Sequence, residues 1–136
     1  MITTEYVENV VKAKFETGLA TLGIQIPVVN EVVASTECIF VEANRELSAR
    51  FDNINMEYTV VVDVKYKVAY NPTDRGARKD SIENMITRTM IFDDCWLFGV
   101  IPGLVENNVR DFDEKYNEQN EKYYLHKKFD LTIIGE

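Results

Sequence analysis

From Met56 to Tyr70 the chain alternates without a break. Met56, Tyr58, Val60, Val62, Val64, Tyr66, Val68 and Tyr70 fall on one side, and Glu57, Thr59, Val61, Asp63, Lys65, Lys67 and Ala69 on the other. Successive side chains of an extended strand point to opposite faces, so this run predicts one long β-strand with β-branched and aromatic residues turned to a core. At 3.3 Å per residue it spans roughly 50 Å, longer than a small domain needs for its own core. Its far end is expected to project and to pair with something else.

The rest of the order follows from local signals. Thr3 or Thr4 can cap a helix running to about Leu19, with Glu5 and Glu8 at its positive end and Tyr6, Val7, Val10, Val11 and Phe15 near one face. Gly23 stops it. Ile24 to Ser35 is apolar but irregular and contains Pro27, which reads as a loop or a short edge strand. Cys38 to Arg50 reads as a strand, and the turn residues Asp52-Asn53-Ile54-Asn55 join it to the long strand as a hairpin. Asn71-Pro72-Thr73-Asp74 ends that hairpin. A second helix is expected from Arg75 to Ile91, with Ile82, Met85, Ile86 and Met90 inward. Leu104 to Asp113 reads as a strand, Glu114 to Lys122 as a polar loop, and Tyr123 to Ile134 as a last strand with Tyr123, Leu125, Phe129, Leu131 and Ile133 on one face, interrupted by Lys127. The predicted fold class is α+β: a single domain over residues 1–136 in the order α-β-β-α-β-β. Its sheet is expected to be mostly antiparallel and four-stranded, with the helices packed on one face.

The chemistry-bearing residues are sparse. The one histidine, His126, shares a strand face with Tyr124, Lys128 and Asp130 and is expected to be solvated, with no nucleophile signature near any serine or either cysteine. Three Cys and His residues in all, widely spaced, make a poor zinc set, and Asp111-Phe112-Asp113-Glu114 lacks the spacing and glycine of a calcium loop. No phosphate-cradling glycine motif occurs. These readings imply no catalytic, metal-binding or cofactor-binding residues. Cys38 and Cys95 form no CxxC pair and read as buried free thiols.

Net charge is −8, which disfavours specific nucleic-acid binding by counterion release but suits a passage along which DNA slides without sticking. The N-terminal residues do not form a secretory signal, and no uncharged run is long enough to span a bilayer, so the expected setting is cytoplasmic, without membrane contact.

Three places suggest contact with other subunits. Arg45, Leu47, Arg50 and Phe51 cluster at the hairpin tip, combining the residue types that dominate interfaces. Arg75 and Arg78 lie at a predicted helix start, where positive charge opposes the helix dipole; they form a solvated first turn or a docking patch for an acidic neighbour. Trp96, with Leu97 and Phe98, completes a core or anchors an interface.

An N-terminal helix, the apolar stretch Gly23-Ile24-Gln25-Ile26-Pro27, a long hairpin over 38–70, a second helix and a closing strand pair make up nearly the whole chain. In this layout it resembles the tail terminator (tail completion) proteins of tailed bacteriophages. That resemblance implies a non-enzymatic virion protein, assembled in the bacterial host cytoplasm. It would close as a homo-oligomeric, hexameric ring on the tail tube protein, stop tube growth and meet the head–tail connector protein. Another connector, a tail tube or baseplate component, or a small enzyme or ligand-binding domain are the alternatives.

Overall fold

The computed structural model describes residues 2–30, 37–50, 52–68, 76–111, 117–118 and 121–135, some of them by backbone alone. Helix α1 (Thr4–Leu22) begins where Thr3, in extended conformation, accepts a hydrogen bond from the Tyr6 N–H. It continues one turn beyond the expected Leu19. Its end is a Schellman arrangement: Gly23 takes φ 71°, and the N–H groups of Gly23 and Ile24 return to the carbonyls of Ala20 and Leu19. Val7, Val11, Phe15 and Leu19 recur every fourth residue and are all buried.

After Pro27 a short strand, β1 (Val28–Val29), runs parallel to the start of β2 (Cys38–Arg50). The edge strand allowed for between Ile24 and Ser35 is thus present, although residues 31–36 lie outside the described set. β2 pairs antiparallel with β3 (Met56–Val68), the hairpin expected from the alternation, with a register shift between Arg45 and Ser48. The alternation held because β3 is walled on both sides and its Tyr58, Val60, Val62, Val64 and Tyr66 are all buried. Tyr70 and the end of that predicted strand lie outside the described residues.

The expected second helix is three segments. Helix α2 (Gly76–Thr87) passes into a π-helical turn (Arg88–Phe92), and a separate short helix, α3 (Cys95–Val100), follows. Ile82, Ile86 and Met90 point into the core as predicted, and Leu97 and Ile101 join them. At Gly18 a Cβ would lie 2.8 Å from the Met85 side chain, so α1 and α2 approach closely there. Strand β4 (Leu104–Asp111) follows, then a two-residue strand, β5 (Asn117–Glu118), and the long β6 (Glu121–Gly135). The polar run Glu114 to Lys122, expected to be a loop, therefore contains β5 and the start of β6, which pair with each other. Backbone pairing of so short a strand needs no hydrophobic pattern, which is why composition points to a loop.

The fold is α+β with one mixed sheet. Five strands lie side by side in the order β1-β2-β3-β6-β4, and β5 pairs with β6 off that path. The predicted four-stranded sheet and α-β-β-α-β-β order are corrected accordingly, because β1 adds a parallel edge and the helical region divides. Because β6 is antiparallel to both β3 and β4, the latter two share a direction, and α2, the π turn and α3 form the crossover between them. Helix residues and the inward face of β2, β3, β4 and β6 form one apolar cluster. On the opposite face Cys38, Phe40, Val61, Lys67 and His126 are buried too, so that face is not simply solvated.

Candidate functional site

The residues proposed for subunit contacts occupy three separate places. Arg45 is exposed, but its guanidinium lies 5.1 Å from the Tyr58 ring centre and donates to the Ile2 carbonyl at 3.1 Å. It ties the N-terminal segment to the hairpin. The backbones of Leu47 and Arg50 run along β2, Leu47 inside the register shift and Arg50 opposite Met56. Phe51 and Arg75 lie outside the described residues. Arg78, on the first turn of α2, pairs with Glu37 at 2.6 Å, and the same carboxylate accepts the Tyr66 hydroxyl. Glu37 precedes β2 and the hairpin turn follows it, so Arg78 sits at the other end of the sheet, roughly 40 Å from the tip at 3.3 Å per residue. One chain cannot join the two into a single site.

Trp96 is half-buried and packs against the core, the first of its two alternatives. Its indole N–H donates to the Thr89 carbonyl at 2.8 Å, fixing the ring, and Lys14 Nζ stands 5.3 Å from the ring centre. Val10, Ala13, Lys14 and Thr17 of α1 face Trp96 and Val100 of α3 across a cleft of about 290 Å³. The Tyr6 hydroxyl donates to the Val100 carbonyl at 2.6 Å and braces the two helices.

The hairpin turn is built more firmly than its composition suggests. Asp52 accepts from the N–H groups of Ile54 and Asn55, both at 2.7 Å, and from Asn55 Nδ2 at 3.2 Å, while its own N–H donates to the Asn55 carbonyl at 3.1 Å. The Asn55 and Ile54 backbone donors, with the Asn55 side chain, hold its carboxyl below the usual aspartate range. At the apex Ile54 is 70% exposed. An isoleucine among turn-forming polar residues was the available signal, and sequence reading used those four residues only as a turn. The hairpin does not project as a bare two-stranded arm either. β6 accompanies β3 to its end, with Gly135 opposite Met56, and Ile2 N donates to the Tyr58 hydroxyl at 3.2 Å. What stands clear is the turn itself.

His126, expected to be solvated, is 8% exposed, and its Nε2 lies 2.7 Å from Asp63 Oδ1. His126 pairs with Lys65 of β3, and Asp63 sits diagonally across that pairing. On the same face Arg110 pairs with Asp130 at 2.8 Å, and Lys65 lies 5.6 Å from the Phe40 ring centre. These contacts join adjacent strands, and Cys38 lies beyond β3 from His126, two strands away. Cys38 is buried as expected; Cys95 is exposed, at the start of α3, which corrects that half of the expectation. Among the described residues no three Cys, His, Asp or Glu side chains gather as a metal ion requires. Of the described helices, none is long and apolar enough to cross a membrane.

A cleft of about 610 Å³ lies along the end of α1 and the stretch to Pro27. Its lining offers one carboxylate, Glu16, and one amide, Gln25, among apolar and glycine positions, which is too few convergent polar groups for acid–base chemistry. A scan against protein-family models and a search of curated proteins found no match.

Proposed function

We propose that this chain is a structural assembly subunit of the tail-terminator kind. It would close as a homo-oligomeric ring on the end of a tail tube, ending tube growth and presenting the surface that meets the head–tail connector. The observation that carries this reading is the hairpin turn: a preorganised loop at the end of a long three-strand ribbon, presenting an isoleucine to solvent. An exposed isoleucine on a turn whose conformation is already fixed offers a subunit contact an anchor with little left to order. Phe92, 71% exposed beside the crossover, adds apolar surface of the same kind. The net charge of −8 suits a ring through which a genome passes. In this reading the chain has no enzymatic activity and needs no cofactor.

Electron microscopy of the purified protein mixed with tail tubes tests this. The expected image is a closed cyclic array at one end of each tube. Density distributed along the tube would make the chain a tube or sheath component instead. A broad activity screen gives a second check: turnover lost in His126→Ala would place the chain among enzymes.

A further inference from the structure

We propose that the hairpin turn of one copy seats in the cleft between α1 and α3 of a second copy, with Ile54 against Trp96 and Val100 and Asp52 beside Lys14. This rests on the ring-forming reading above and names the two surfaces that would build the ring.

The donor side is the turn. Ile54 is exposed at its apex, and the hydrogen bonds converging on Asp52 fix its shape, so little ordering cost remains at association. Asp52 carries its negative charge beside that apolar apex.

The receiving side is complementary in both respects. Val10, Ala13, Trp96 and Val100 give the cleft an apolar floor and wall, and the indole is held in place by its bond to Thr89. Lys14, exposed at the mouth, supplies positive charge on a chain whose sum is strongly negative. A carboxylate arriving there meets an ammonium already drawn over the ring.

The occupant is a second copy because the turn cannot reach the cleft of its own chain. β6 stiffens β3 as far as Met56, and Ile2 fastens the start of α1 to the base of the turn through Tyr58 and Arg45. The turn is thereby held beyond the start of α1, and the cleft lies along that helix's middle. A knob and a hole on different parts of the same chain make a head-to-tail contact, which generates a ring when its rotation closes.

The test uses two single-site variants, Ile54→Cys and Ala13→Cys, each with Cys95→Ser so that the exposed native thiol does not interfere; both sites are exposed and leave the fold intact. Under mild oxidation, disulfide-linked dimers are expected when the two variants are mixed and not with either alone. Independently, Ile54→Ser and Lys14→Glu should each weaken self-association of the full chain, by sedimentation, at least about tenfold, with the monomer's melting temperature unchanged. Three results would overturn the contact while leaving the ring reading standing. These are dimers in the Ile54→Cys variant alone, assemblies of unchanged strength in both surface variants, and a wild type that caps tubes yet stays monomeric at about 1 mM. A wild type that neither self-associates nor caps tubes would overturn both.

Discussion

Gly103 sits at φ 83°, and a Cβ there would lie 2.2 Å from the Ile134 carbonyl oxygen, while its own carbonyl accepts from the Ile134 N–H at 2.9 Å. Both the left-handed backbone and the close approach require glycine. Gly103→Ala is therefore expected to cost about 2 kcal/mol or more in chemical denaturation, since neither the strain nor the backbone clash can be relieved by a rotamer change. Asp52 gives a second residue-level expectation. Its carboxyl is held below the ordinary value of 3.8, so the unfolded chain takes up a proton first on acidification. The stabilisation is complete above that ordinary value and is lost as pH falls through the depressed folded one. Following the Asp52 carboxyl by NMR should place its inflection below 3.8, and one at or above that value would mean the turn does not hold it. At this scale sequence was informative where one residue type serves one backbone need, as Thr3 and Gly23 do at the ends of α1. It pointed the wrong way on His126, which reads as solvated and is buried, because its burial depends on the strand packed beside it.

Among the elements, β2 shows how a strand is guarded where its neighbour β1, which pairs only Ile39 and Phe40, stops short. Glu8, projecting from α1, accepts from the Ala43 backbone N–H at 3.1 Å and from Asn30 Nδ2 at 3.0 Å. An unpaired strand N–H invites pairing with another chain, and a carboxylate occupying it removes that invitation. Glu8→Ala should lower stability by about 1–2 kcal/mol and speed hydrogen exchange at the Ala43 amide, with an increased tendency to aggregate. Unchanged exchange at Ala43 would show that the bond protects nothing. The long strands were legible because alternation over many residues has one physical solution. Helix α3 was not, because its six residues include Gly99 and it is held by burying Leu97 and Ile101, which is a tertiary cause. The split of the second helix likewise left no mark on its apolar spacing. The hairpin tip reads as a candidate contact through Leu47 and Phe51; Phe51 lies outside the described residues, and Ile54, which reads from sequence only as a turn residue, is the exposed apolar side chain at the described apex.

For the molecule as a whole, the acidic surface sets an expectation independent of how subunits meet. Duplex DNA should not be retained at about 150 mM salt, because a net charge of −8 offers no counterion release. Retention falling steeply with added salt would contradict the proposed passage. The sheet order has a consequence for how the chain comes into being. β6 lies between β3 and β4, yet it follows both in chain order, and its partner residues on β3 are as distant as Met56 and Gly135. On the ribosome, the hairpin, α1, α2, the π turn and α3 emerge while the place of β6 is still empty. The edges of β3 and β4 that β6 joins stay unmatched until the segment that follows β4 has emerged and filled the gap. Such late, long-range closure makes folding slow and leaves the nascent chain open to wrong partners until translation has passed β6.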